Sequence, residues 1–124
     1  MSDKKILIVD DVQSMRLVVK YTLGTMGIKN VDQASNGQQA IKYIKNNQYD
    51  LVISDMEMPI LNGIELLKFI RADEKFKNLN VIMLTSVSDE EQIREALSQG
   101  IDNYVLKPIN PNILQKRIAA ALKL

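Results

Sequence analysis

Five short apolar runs alternate along this chain with stretches whose apolar residues repeat at helical spacing. The runs are Lys5–Val9, Asn30–Ala34, Leu51–Ser54, Val81–Leu84 and Asn103–Leu106. Apolar runs of this length suit strands that are covered on both faces. Between the first two, Met15, Val18, Val19, Thr22, Leu23 and Met26 fall on one helical face, and Gly27 supplies a stop. A second helix is expected from about Gln38 to Lys45, burying Ala40, Ile41 and Ile44. A third carries Leu66, Leu67 and Ile70, and a fourth carries Ile93, Ala96 and Leu97 and stops at Gly100. The fifth carries Leu114, Ile118, Ala121 and Leu122, with Pro111 near its start, where proline is tolerated. Strands alternating with helices imply βαβ units and a parallel sheet with helices on both faces. With 124 residues, residues 1–124 are expected to form one domain.

Ligands of such sheets sit beyond the carboxyl ends of the strands. Here the first strand runs into Asp10-Asp11, the third into Asp55, the fourth into Thr85-Ser86 and the fifth into Lys107-Pro108. Each residue has an ordinary explanation when taken alone. Asp11 suits a helix cap, Asp55 a loop acid, Thr85 a polar strand end and Lys107 a solvated surface cation. Their coincidence on one rim points instead to phosphoryl transfer onto a carboxylate. Clustered carboxylates repel one another unless a cation joins them. Magnesium suits one or two carboxylates together with phosphate and water. A lysine and a hydroxyl would hold the remaining phosphate oxygens, and the reaction asks for positioning and charge stabilisation above all. Carboxylates are established covalent acceptors of this kind.

The composition removes other chemistries. There are no cysteines and no histidines, so phosphate cannot be carried on a histidine of this chain and the donor must be external. A net charge of +1 argues against a general nucleic-acid binder. The apolar stretch near the amino terminus is too short for a signal peptide or a membrane span, so a cytoplasmic protein is expected. The P-loop pattern G-x-x-x-x-G-K-S/T is absent. A flavin binder would not place Asp10-Asp11 where the cofactor phosphate must lie.

The motifs, taken in order, are Ile6-Leu7-Ile8-Val9-Asp10-Asp11, Ser14-Met15-Arg16, Ala34-Ser35-Asn36-Gly37, Asp55 followed by Met58-Pro59 and Asn62-Gly63, then Thr85, and Tyr104-Val105-Leu106-Lys107-Pro108. In that order and spacing the chain resembles the receiver domains of two-component response regulators, and within them the single-domain chemotaxis regulators. The resemblance covers essentially the whole chain. It implies a flavodoxin-like doubly wound (βα)5 fold with a five-stranded parallel sheet in the order 2-1-3-4-5.

The resemblance also implies roles. Asp55 is expected to be the phosphoacceptor, with Asp10, Asp11, Asp55 and the backbone carbonyl of Glu57 around Mg2+. Thr85 is the hydroxyl that moves toward the phosphoryl group, Lys107 is its cationic partner, and Lys107-Pro108 is expected to be a cis peptide. Tyr104 is the switch aromatic, and Ile93, Leu97, Leu106 and Lys116 or Arg117 contribute to an output face. Glu57 and Val87 lie at two positions that tend to set the phosphoryl lifetime in this family, and both depart from the chemotaxis pattern. The implied partners are a histidine kinase and a protein target such as the flagellar motor switch. A monomer without an output domain is expected, because the sequence stops at Leu124, just after the fifth helix. A phosphorelay intermediate and a phosphorylation-independent binding module are the other readings.

Overall fold

The structure, a computed structural model, describes residues 3–86 and 90–124. Strands β1 (Lys5–Val9), β2 (Asn30–Ala34), β3 (Leu51–Asp55), β4 (Asn80–Thr85) and β5 (Asn103–Leu106) alternate with helices α1 (Gln13–Thr25), α2 (Gly37–Asn46), α3 (Gly63–Ala72), α4 (Glu90–Ser98) and α5 (Pro111–Leu122). The strands form one sheet in the order β2-β1-β3-β4-β5, parallel at every pairing. The expected doubly wound fold is therefore the one observed.

Side-chain alternation along the strands divides the interior into two layers. Leu7, Val9, Val52, Val81 and Met83 face α2, α3 and α4, where Ala40, Ile44, Leu66, Leu67, Ile70 and Ala96 meet them. Ile6, Ile8, Ile53, Ile82 and Leu84 face α1 and α5, packing on Val19, Leu23, Leu114 and Ile118. Every residue of the central strand β3 is buried. Among the described residues, no helix is long and apolar enough to cross a membrane.

Local chemistry sets the helix ends. Asn62 and Glu65 form a reciprocal capping box at the start of α3. The Asn36 side chain accepts from the Gln39 N–H at the start of α2, and Asn110 caps α5 immediately before Pro111. Gly27 and Gly100 follow α1 and α4 with φ of 80° and 92°, a conformation that costs glycine little.

Several positions on the expected helix faces are less buried than their spacing implies. Val18 is 40% exposed and Leu97 is 51% exposed, while Ile41 and Ile93 are only half-buried. The strip of α1 that meets the sheet is narrow, centred on Val19, Thr22 and Leu23, and α4 buries Ala96 alone.

One side chain ties the far ends of three segments together. Arg71, at the end of α3, donates to the carbonyls of Leu79 and Lys77 before β4 and to that of Gly100 after α4. It also pairs with Asp102 at 3.1 Å, and the same Asp102 oxygen accepts the Val81 N–H at 2.7 Å. The carboxyl-terminal end of α4 is thereby fastened to the sheet.

Candidate functional site

Parallel registry brings the strand ends level. Val9 lies opposite Ser54 and Asp55 opposite Leu84, so Asp10 and Asp55 emerge side by side, with Thr85 one residue further along β4. Asp55 and Thr85 are the last residues of their strands, which extend one residue beyond the expected ends. Backbone bonds continue past the strands, from Met56 N–H to Leu84 O, Lys107 N–H to Thr85 O and Asp10 N–H to Ala34 O.

Carboxylate oxygens of Asp10, Asp11 and Asp55 all lie within 4.8 Å of one another, a donor set that could hold a metal ion. Asp10 and Asp55 are buried and Asp11 is exposed, so the cluster opens to solvent on one side. Oxygen donors of this kind suit a hard divalent cation such as magnesium. Lys107 reaches across from the end of β5 and places Nζ 2.8 Å from Asp55 Oδ1. Thr85 is buried, and among the described residues its hydroxyl makes only a long contact, 3.5 Å, with the Ser86 carbonyl. The Lys107-Pro108 peptide is cis, as the resemblance implied. The five residues named from the strand ends therefore occupy one site.

Asp11 does not cap α1. The N-cap residue is Val12, with no side-chain cap, and it is Asp10 Oδ1 that accepts the Val12 N–H at 2.9 Å. Asp10 Oδ2 is buried and has no hydrogen-bond partner among the described residues. Burial drives the Asp10 carboxyl up to about 6, the Val12 N–H opposes the shift, and the neighbouring Asp55 charge adds to it. An ionised, buried oxygen without a partner fits a site that receives a cation.

A raised carboxylate pKa means that the charged form costs folding free energy. The sign follows from the two pKa values. Below the ordinary value of 3.8 both folded and unfolded chains hold the proton, and the cost is fully present once the pH exceeds about 6. Asp10→Asn is therefore expected to stabilise the metal-free protein at neutral pH by roughly 2–3 kcal/mol, from about 1.4 kcal/mol per pKa unit. That gain should shrink as the pH falls from about 6 toward 4. Urea denaturation of both proteins across that range checks it, and a pH-independent difference would remove the charge explanation.

The segment between Asp55 and α3 is tightly folded. Ile60 has φ of 72° and stands at the centre of a turn closed by Leu61 N–H to Pro59 O at 2.7 Å. Gly63 N–H returns to Met56 O at 2.9 Å. The Glu57 side chain is exposed in this segment. Val87 lies outside the described residues.

The expected output residues separate into two groups. Ile93, Tyr104 and Leu106 line a groove of about 380 Å³ between α4 and β5, together with Glu90 and Arg94. Tyr104 is half-buried and Leu106 is 42% exposed. Leu97 and Arg117 lie outside this lining. Arg117 is half-buried, with Nε buried and without a hydrogen bond among the described residues, and Lys116 is exposed. Sequence reasoning missed Glu90 and Arg94, since charged residues on an amphipathic helix carry no sign of what they border.

Comparison with known proteins agrees with this geometry. The family model of the response regulator receiver domain matches residues 6–119. The chain is 42% identical over 114 residues to the chemotaxis protein CheY-3 of Vibrio cholerae, covering 92% of this chain and 88% of that protein. The solved structure of the chemotaxis response regulator CheY4 of Vibrio cholerae superposes with a TM-score of 0.89 at 31% identity, covering 98% of this chain and all of that one (100%). A putative response regulator from Chloroflexus aurantiacus superposes with a TM-score of 0.93 at 28% identity, covering 99% and 100%. The chain belongs to the response regulator receiver family and is similar to its chemotaxis proteins of the CheY type.

Proposed function

We propose that this protein is a stand-alone phosphorylation switch that accepts a phosphoryl group on Asp55. The observation that carries the reading is the convergence of the Asp10, Asp11 and Asp55 carboxylates with Lys107 Nζ 2.8 Å from the proposed acceptor. In this reading Asp55 is the nucleophile. One of its carboxylate oxygens forms a bond to phosphorus as the phosphorus–nitrogen bond of a kinase phosphohistidine breaks, and the imidazole leaves with its electron pair. Asp10, Asp11, Asp55 and the Glu57 carbonyl would hold Mg2+, which when bound offsets the charge of the incoming phosphoryl group. Lys107 holds one phosphoryl oxygen and Thr85 turns toward another. Neither needs to take or give a proton.

The product carries close to two negative charges and three strong acceptors where a single carboxylate stood. Thr85 and Leu106 are register partners across β4 and β5, and Tyr104 sits two residues earlier on β5. A shift of Thr85 toward the phosphoryl group alters the packing beside Tyr104 and the α4–β5 groove. That is a two-state change driven by the difference in phosphate affinity between the states. We read the groove as the face that meets a protein target, in chemotaxis or motility signalling such as the flagellar motor switch. A monomer acting in the cytoplasm on one kinase and one target accommodates every part of this reading. Glu57, exposed near the acceptor, is placed to influence how long the phosphoryl group lasts.

Intact-mass spectrometry after incubation with acetyl phosphate tests the proposal. A gain of one phosphoryl group in Mg2+ that disappears with a chelator is the expected result. No gain from acetyl phosphate or from a cognate kinase would leave a phosphorylation-independent binding module as the better reading. Back-transfer from the phosphorylated protein to a histidine phosphotransfer domain would move it to a relay.

A further inference from the structure

Arg16 stands on the first turns of α1, beneath the acidic pair. Its Nη1 donates to the backbone carbonyl of Asp10 at 2.6 Å, and its Nε donates to Oε1 of Gln33, on β2, at 3.0 Å. The side chain is half-buried, and among the described residues it forms no ion pair. Its charge is thus directed at neutral oxygens and not at the carboxylates nearby.

The carbonyl it holds belongs to the peptide bond joining Asp10 to Asp11. A peptide unit is planar, so fixing its oxygen fixes the plane from which both residues leave. Asp10 has further ties, since its N–H donates to Ala34 O and its carboxylate accepts from Val12. Asp11 has none of these. Among the described residues, no hydrogen bond or ion pair holds its exposed carboxylate, so the backbone behind it is what fixes where that side chain starts.

We infer that Arg16 is a positioning residue for divalent-cation binding: by clamping the Asp10-Asp11 peptide to β2 through Gln33, it holds the base of the Asp11 side chain where its carboxylate can join the site. The inference rests on the metal reading of the acidic cluster given above. Groups that orient metal ligands from behind typically carry about ten- to a hundredfold in metal affinity. Charge alone predicts the opposite sign. A cation beside a metal site repels the metal, so removing Arg16 for purely electrostatic reasons would tighten binding.

The experiment is a magnesium chloride titration by calorimetry on folded wild type, Arg16→Ala, Arg16→Lys and Gln33→Ala. The backbone amide signals of Asp11 and Val12 are followed by NMR, and stability is measured separately in urea. Arg16→Ala is expected to weaken Mg2+ binding by about tenfold or more. Arg16→Lys, which keeps the charge but not the two-armed contact, should fall between, and Gln33→Ala should weaken binding several-fold. Unchanged or tighter binding in folded Arg16→Ala would overturn the inference, leaving Arg16 a stabilising residue only. If Arg16→Ala does not fold, unchanged affinity in both Arg16→Lys and Gln33→Ala overturns it equally. Failure of the wild type to bind Mg2+ would instead remove the metal reading itself.

Discussion

Asp55→Asn is expected to abolish uptake of a phosphoryl group from acetyl phosphate while leaving the fold intact. The amide is nearly isosteric with the carboxylate and keeps an oxygen to accept from Lys107, which now lies 2.8 Å from Asp55 Oδ1. It lacks the negative charge and the nucleophilic lone pairs that attack phosphorus. One charge also leaves the acidic cluster, so the repulsion that Asp55 exerts on Asp10 is relieved and Mg2+ binding should weaken. Circular dichroism and the urea midpoint establish that the variant is folded, and intact mass then reads the chemistry. A normal gain of mass in a folded Asn variant would relocate the acceptor, with Asp10 and Asp11 the next residues to replace.

Gly63→Ala should produce a large loss of stability for the addition of a single methyl group beside the site. A Cβ built at Gly63 would lie 2.5 Å from the Asp55 carbonyl oxygen, 3.0 Å from Met56 Cα and 3.0 Å from Met83 Sδ. Two of those three atoms are main chain and cannot rotate away. Alanine is the better helix former by up to about 1 kcal/mol, which is too little to offset a backbone collision. The expected net loss is about 3 kcal/mol, near the upper end for overpacking and a large part of the roughly 5–15 kcal/mol that holds a domain together. Function should fall with it. The displaced atoms belong to the residue proposed as nucleophile and to its neighbour, and errors of about 1 Å in a reacting group can cost on the order of a hundredfold in rate. A urea midpoint within about 0.5 kcal/mol of wild type would mean that the loop shifts freely, and that Gly63 is not what seats Asp55.

Much of this molecule could be read before its coordinates. The strands were legible because a parallel sheet with helices on both faces demands apolar residues on both sides of each strand. Their ends were less so. Asp55, Thr85 and Asn80 belong to strands but look like loop residues, since their polarity reflects the rim they border. The site itself was legible for that same reason, as polar residues directly after buried strands have few places to point. Helix faces were overestimated at Val18 and Leu97, because spacing marks every residue on a broad stripe while the sheet touches a narrower one. Arg16 and Arg71 were opaque. Their partners are chiefly the carbonyls of Asp10, Leu79, Lys77 and Gly100, and a carbonyl leaves no mark in a sequence. The ordinary alternative for Asp11, a helix cap, does not hold, because α1 begins one residue later with Val12 at its N-cap and no side-chain cap.

The fully buried β3 and the lightly buried α4 answer to different constraints over evolutionary time. Substitutions within Leu51–Asp55 disturb both layers of the interior at once, so that strand can accept very few. Of the nine residues of α4 only Ala96 is buried, and exposed substitutions typically move stability by no more than about 0.5 kcal/mol. Arg71 fastens the end of that helix through the Gly100 backbone, a contact indifferent to the side chains α4 presents. A lineage can therefore rewrite the surface of α4, and with it the face proposed to meet a target, while the cluster at the strand ends stays as it is.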